Sequence, residues 1–386
     1  MNNFAYQIPT EIYFGRGQIK HLEESLLKFG HRVLLVYGGG SIKRTGLYQT
    51  IQTIFSQSGV ESFELAGVEP NPRIDTVRKG VQLCRQNNVD VILAVGGGSS
   101  IDCAKVISAA VKYKGDAWDL VKNGNLIKEA LPLIVILTIA ATGSEMDRFA
   151  VISDMNTNDK LGTFSPLFYP KVSILDPEYT FTVPKNQTAA GTADIMSHIM
   201  ERYFHNIEGA YVQDRLSEGL LKTCIHYGPI AYHEPNNYEA RANLMWASSL
   251  AIDGITWRGN DVVNSAHPME HQLSAYHDIT HGVGLAIITP HWMKHILNEK
   301  TVGKFVDFGV NVWGIDSSLD PYEIADSAIK KLENFYASLD IPSTLREVGV
   351  TEEHLVTMAE KASNGLENAF YPLTSADVLA IYKASL

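Results

Sequence analysis

The stretch VDVILAVGGGSSIDCAK, residues 89–105, constrains the fold more than any other part of the chain. Residues 89–95 read as a short, almost wholly apolar strand, and residues 101–113 as a helix. Gly96, Gly97, Gly98, Ser99 and Ser100 join them. A strand that is apolar on both faces must be covered on both, which calls for a parallel sheet between layers of helix. Glycine lets backbone approach an anion closely, and the N-terminus of the helix that follows favours negative charge there. The spacing is not G-x-G-x-x-G, because Ile101 stands at the third glycine position. A phosphate cradle and a tight turn without ligand both fit.

The pattern recurs. Residues 31–37 form a buried strand that ends in Gly38, Gly39, Gly40 and Ser41, and residues 132–138 form another that runs into ATGSE. Residues 62–65 and 172–175 supply shorter strands, and helices are expected over 48–58 and 74–87. After Val183-Pro184 helical periodicity is nearly unbroken and no convincing strand appears. The expectation is an α/β dinucleotide-binding domain over 1–183 and an all-α domain over 184–386. Two glycine loops on one sheet edge suit the two halves of a dinucleotide. No acid stands at residues 38–41 to read ribose hydroxyls; Ser41, Lys43 and Arg44 do stand there, and could accept a 2′-phosphate or simply begin a solvated helix. Thr138 and Thr142 could bond phosphate, ribose or amide, while capping by Thr142 or Ser144 explains the same hydroxyls.

In the second half, Asp194, His198, Glu201 and His205 follow one another at spacings of four, three and four within residues 189–205. Such positions stack on one helical face, so they make either a wet surface or a pair of metal ligands, Asp194 and His198. Further on, His267, His271, His277 and His281 crowd into AHPMEHQLSAYHDITHGVG. Together with Asp194 and His198 they make a mixed nitrogen and oxygen set without thiolate. That set suits Zn²⁺ or Fe²⁺ with a position left for substrate.

A net charge of −11 argues against nucleic acid or an anionic membrane as partner. The three cysteines, Cys84, Cys103 and Cys224, form neither a disulfide framework nor a zinc ribbon, which points to a reducing cytoplasm. The longest apolar run, residues 131–141, is about half of the ~20 residues a membrane helix needs. The first residues lack the basic and apolar regions of a signal peptide. A soluble cytoplasmic protein is expected.

Taken in order, YFGRG, GGGS, VEPNP, GGGSSIDCAK, ATGSEMD, LDPEYTFTVP, TAAGTADIMSH and HPMEHQLSAYHDITHGVGLAI resemble the iron-containing (group III) alcohol dehydrogenases. The likeness is closest to their butanol dehydrogenase and aldehyde reductase branch. It spans most of the chain, and the D-x₃-H with the later H-x₁₃-H is its most specific part. The resemblance implies a dehydroquinate synthase-like architecture with the active site in a cleft between the two domains, and a homodimer. It carries metal ligation onto Asp194, His198, His267 and His281, and a catalytic role near the substrate onto His271. Cofactor contacts fall on Gly38, Gly39, Gly40, Ser41, Asn71, Gly97, Gly98, Ser99, Asp102, Thr138, Thr142, Asp147, Lys160 and Tyr179. Many relatives carry Thr or Asn where this chain has Asp147, whose role stays open.

The reading is reversible hydride transfer between NAD(P)(H), with NADP(H) preferred, and a short primary alcohol or aldehyde such as butanol or butanal. One divalent metal, Fe²⁺ or Zn²⁺, would sit at the substrate oxygen. The alternatives are a metal-dependent lyase of the dehydroquinate-synthase type and a dehydrogenase of another small alcohol (lactaldehyde, propanediol or glycerol).

Overall fold

The computed structural model describes residues 1–260 and 262–386. The chain divides into an α/β unit, Gln7–Val183 with Pro235–Met245, and a helical unit, Met1–Tyr6 with Pro184–Glu234 and Trp246–Leu386. Two short pieces thus depart from a single division at residue 183. Asn2 donates its N–H to the Gly259 carbonyl at 2.8 Å and Tyr6 its hydroxyl to Asp253 at 3.0 Å, which ties the first residues to the turns of the helical unit after Ile252. Arg16 lies over the Tyr238 ring at 4.0 Å, and Met245 is buried in a core cluster of the α/β unit.

Six parallel strands make the main sheet: β1 (Glu11–Phe14), β2 (Arg32–Tyr37), β3 (Glu61–Leu65), β4 (Val91–Gly96), β5 (Leu133–Leu137) and β8 (Val172–Leu175). Their spatial order is β1-β8-β5-β4-β2-β3. A separate antiparallel hairpin joins β6 (Phe149–Asp154) to β7 (Asp159–Phe164). Alternate residues of the central strands feed opposite faces. Leu34, Val36, Ile92, Ala94, Val135 and Leu137 enter one core cluster, and Val33, Leu35, Val91, Leu93, Ile134 and Ile136 the other. This period of two within uniformly apolar strands is what a sheet covered on both sides requires. The longer helices of this unit are α1 (Leu47–Gln57), α2 (Ile74–Gln86) and α3 (Gly98–Ala110). β1 and the β6–β7 hairpin were not expected as strands; β1 is only four residues long, and Asp and Lys residues break the apolar pattern of the hairpin.

The connection from β2 leads outward to β3, and the chain then returns to place β4 on the other side of β2. The reversal lies between β2 and β4, where open parallel sheets bind ligands beyond the carboxyl ends of their strands. In register, Tyr37 pairs with Val95 and Gly96 with Leu137. Both glycine loops and the loop after β5 therefore leave one edge at one level.

The helical unit holds α4 (Lys185–Tyr203), α5 (Tyr211–His233), the second half of α6 (Tyr238–Ile252), α7 (Ala266–His277), α8 (His281–Ile296), α9 (Val302–Trp313) and α10 (Pro321–Ala337). Most side chains of α4 are buried, Asp194 and Glu201 included, so its polar line is not a wet face. The helix ends at Tyr203, which leaves His205 beyond it rather than on that line. His205 bonds Asp214 at 2.9 Å and accepts the Ile207 N–H at 3.1 Å, a local fastening for the turn. No helix of the described residues is long and apolar enough to cross a membrane. The three cysteines are free thiols, all buried.

At the start of α8, Gly282 lies against α4: a Cβ there would fall on the Ala190 carbonyl oxygen. Only a glycine allows this approach, and it brings the first turn of α8 to the turn of α4 that precedes Asp194. Gly282→Ala should cost about 1–3 kcal/mol or more through overpacking and lower the calorimetric melting temperature. Gly219→Ala, on an exposed turn of α5 with nothing within 4 Å of the added Cβ, should instead stabilise by up to about 1 kcal/mol through helix propensity. Equal melting temperatures for Gly282→Ala and the parent would show that the contact does not constrain the helices.

Candidate metal centre and nucleotide edge

Asp194 on α4 is the hub of the helical unit's polar interior. Its Oδ1 lies 3.4 Å from His198 Nε2, 3.6 Å from His281 Nε2 and 3.9 Å from His267 Nε2. Donor atoms about 2.1 Å from a tetrahedral ion stand about 3.4 Å apart. These separations therefore fit the ligand shell of one ion better than a set of hydrogen bonds. Asp194, His267 and His281 form one three-donor set and Glu270, His271 and His281 a second, the donor atoms of each within 4.8 Å of one another. The imidazoles of His198 and His267 lie 4.4 Å apart between centroids.

Carboxylates behind the rings fix their direction. His267 Nδ1 meets Glu201 Oε2, and His281 Nδ1 meets Glu270 Oε2. Glu201 Oε1 also accepts the Ala266 N–H at 2.5 Å and the His267 N–H at 3.2 Å, so it caps α7 while it holds the ring. Ser274 donates its hydroxyl to Glu270 Oε1. With Nδ1 engaged, each ring presents Nε2 to Asp194, the arrangement by which outer carboxylates orient metal-binding histidines. His267 Nε2 is buried and has no hydrogen-bond partner among the described residues.

Charge points the same way. Asp194, Glu201 and Glu270 are each at most 3% exposed and share one neighbourhood. Burial opposes a proton on His267, but Glu201, Asp194 and Glu270 outweigh it and raise its pKa above the usual value. Burial and the neighbouring imidazoles hold His198 well below the usual histidine range, neutral and with its lone pair available. A nest of buried carboxylates among imidazoles takes a cation at lower cost than it bears none, and this donor set suits Zn²⁺ or Fe²⁺. His271 sits beside the cluster, half-buried, its ring 5.6 Å from that of His281 and 6.1 Å from that of His267. His277 lies at the last turn of α7, outside either three-donor group.

In the α/β unit the residues expected at the nucleotide gather on the carboxyl edge of the sheet. Gly97 precedes α3 in extended backbone, and the N–H groups of Gly98 and Ser99 open the helix with no preceding turn to bond. A Cβ on Gly98 would collide with the Thr142 hydroxyl, so the loop after β5 closes directly on this N-terminus. Thr138 donates its N–H to the Gly96 carbonyl at 2.9 Å, and Thr142 Oγ1 accepts the Ser144 N–H at 3.2 Å. Gly38, Gly39 and Gly40 turn the chain out of β2, with Gly40 at φ +91°, and Ser41 is exposed. The Gly67 and Val68 N–H groups bond back to Gly38 and Tyr37, which brings the loop carrying Asn71 (φ +53°) to the same edge. Ser153 bonds the Pro72 carbonyl at 2.8 Å and pairs with Lys160 across the hairpin, so Lys160 adjoins that loop. Tyr179, in the turn after β8, packs partly buried against the other core face.

Two of the acids expected at the nucleotide, Asp102 and Asp147, are bonded within the unit. Lys105, fully buried on α3, donates to Asp147 Oδ1 at 2.6 Å, to Ser144 Oγ at 2.9 Å and to the Phe149 carbonyl at 2.8 Å. Asp147 Oδ1 also accepts the Phe149 N–H at 2.8 Å. Asp102 takes the Ser144 hydroxyl at 2.6 Å on one oxygen and the Val151 N–H at 2.8 Å on the other. Burial, opposed by Lys105, pushes the Asp102 carboxyl up to about 6. One ammonium thus serves two carboxylates and clamps α3 to the loop after β5 and to the hairpin. Asp147, left open in the sequence, is one jaw of that clamp. The sequence alone singles out neither Lys105 nor Glu270, and helical spacing by itself gives Glu201 no role at the rings.

Comparison with known proteins gives the family. Residues 9–177 match the family model described as iron-containing alcohol dehydrogenase, and residues 188–386 match the C-terminal model of the same family. NADH-dependent butanol dehydrogenase A of Clostridium acetobutylicum is 58% identical over 388 residues, covering 100% of both chains. NADPH-dependent aldehyde reductase YqhD of Escherichia coli is 38% identical, covering 94% of this chain and 93% of that protein. The crystal structure of an NADH-dependent butanol dehydrogenase A from Thermotoga maritima superposes with a TM-score of 0.93 at 36% identity, over 100% of this chain and 99% of that one. The chain belongs to the iron-containing alcohol dehydrogenase family and is an NAD(P)-dependent alcohol dehydrogenase.

Proposed function

We propose that the chain interconverts short primary alcohols and aldehydes, butanol and butanal among them, with NADP(H) as the better nucleotide and one Fe²⁺ or Zn²⁺ ion. The observation that carries this reading is the convergence of three imidazole Nε2 atoms on Asp194 Oδ1. Asp194, His198, His267 and His281 would hold the metal, with Glu201 and Glu270 as their supports. When bound, the metal supplies Lewis acidity toward the substrate oxygen, and the nicotinamide supplies the hydride chemistry. His271 is the group that passes a proton between the substrate oxygen and solvent, a role suited to an imidazole half-exposed beside the ligands.

On the sheet edge, Gly97, Gly98 and Ser99 would receive the pyrophosphate at the N-terminus of α3. Thr138 and Thr142 lie on the loop that closes over it, and Asn71, Lys160 and Tyr179 border the same edge. Gly38, Gly39, Gly40 and Ser41 would take the adenosine half, with Lys43 and Arg44 beside a 2′-phosphate. The relatives' names divide between NADH and NADPH, so the NADP(H) preference rests on these basic residues. The relatives are oxidoreductases by name, which leaves the lyase alternative without support. A homodimer and a cytoplasmic location belong to this proposal too, the first supported by the family resemblance and the second by three free buried thiols.

The direct test is NADPH and NADH oxidation with butanal after reconstitution with Fe²⁺ or Zn²⁺. Turnover with a higher kcat/KM for NADPH is expected, and the reverse order would reject the basic-residue reading of the Gly38 loop. His267→Ala should lose bound metal and activity together, and Glu201→Gln should weaken metal affinity by about 10–100-fold. Full occupancy in His267→Ala by elemental analysis would contradict the ligand assignment. His271→Ala should keep its metal and lose most of its turnover; parental turnover there would remove the relay role.

A further inference from the structure

One carboxylate near the glycine loops is absorbed by neither centre. Glu64 is the penultimate residue of β3, in register with Leu35 of β2, just short of the edge from which the Gly38 loop leaves. Its Oε2 accepts the Tyr37 hydroxyl at 2.7 Å and lies 3.9 Å from Lys43 Nζ, and its Oε1 accepts the Tyr48 hydroxyl. The Lys43 ammonium rests over the Tyr48 ring at 4.6 Å and the Tyr37 ring at 5.4 Å. Phenols from two elements, the end of β2 and the start of α1, thus aim their hydroxyls at one acid, which in turn faces the cation of the loop. The side chains of Lys43 and Glu64 are 50% and 34% exposed, so a solute can reach both. Although partial burial opposes its charge, the two hydroxyls and Lys43 keep the Glu64 carboxyl below the usual range and ionised at neutral pH.

We infer that Glu64 sets the balance between the two nucleotides, by occupying Lys43 and repelling a 2′-phosphate while leaving a ribose 2′-hydroxyl unopposed. In dinucleotide folds an acid beyond the glycine loop reads ribose hydroxyls, and a nearby cation accommodates the phosphate. Here the two oppose each other across less than a Debye length. The basic loop pulls the enzyme toward NADPH, and Glu64 keeps NADH in use. This inference rests on the Gly38 loop holding the adenosine half of the nucleotide.

Equilibrium binding to the metal-loaded enzyme, followed by reduced-nicotinamide fluorescence, separates the terms. Glu64→Gln keeps an acceptor for the tyrosines, and Lys43→Ala removes the cation. The ratio of NADPH to NADH affinity isolates the 2′-phosphate, because a general loss of stability weakens both nucleotides alike. Glu64→Gln should raise that ratio about tenfold at low salt, and the gain should shrink as ionic strength rises. Lys43→Ala should lower it. A Glu64→Gln ratio within about twofold of the parent, with Lys43→Ala still lowering it, overturns the role of Glu64 and leaves the loop assignment standing. If neither substitution moves the ratio, the 2′-phosphate lies elsewhere and both readings fall.

Discussion

Glu201 and Glu270 decide where the histidines of the helical unit point. Each carboxylate takes the Nδ1 side of one ring, and each is buried where water cannot take its place. Without them His267 and His281 would be free to rotate, and the Nε2 atoms would no longer converge on Asp194. The backbone serves the same end. Glu201 caps the start of α7, the helix that carries both His267 and Glu270. Gly282 lets α8 lie against α4 one residue after His281. Fold and proposed metal site are therefore one construction: the helix contacts that bury α4 also set the donor atoms in place.

The α/β unit solves its own problem in a parallel way. Its sheet is held by apolar strands, yet the loops beyond that sheet are polar and need anchors. Lys105 supplies one, since a single buried ammonium fastens Ser144, Asp147 and the Phe149 carbonyl. Such a buried pair adds little net stability against an apolar replacement, and breaking it from one side is costly. Its effect here is geometric. It keeps the loop with Thr142 against Gly98, where the proposed pyrophosphate contact requires a fixed backbone.

Much of this was legible in the sequence, for physical reasons that also mark the limits. Strands β2, β4 and β5 announce themselves because burial on both faces leaves no polar position. Asp194 and His198 stand out because helical spacing puts them on one face. The clustered histidines exceed what packing asks for. What sequence periodicity does not carry is pairing at long range. Glu201 and His267 are 66 residues apart, and Lys105 and Asp147 42 apart, with nothing in either local pattern naming the other. Glu64 stands on the strand beside β2 and not in the glycine loop, so the loop's own composition does not point to it. His205 shared the helical spacing of Asp194 but fell past the end of the helix, a boundary set by packing around Phe204.

In the proposed site one carboxylate and three imidazoles are set to receive a single divalent ion before it arrives. X-ray absorption at the iron or zinc edge of the reconstituted protein tests it most directly. A first shell of nitrogen and oxygen at about 2.0–2.2 Å is expected, with outer-shell scattering from three imidazoles and no sulfur. A sulfur neighbour, or scattering from fewer than three imidazoles, would contradict it.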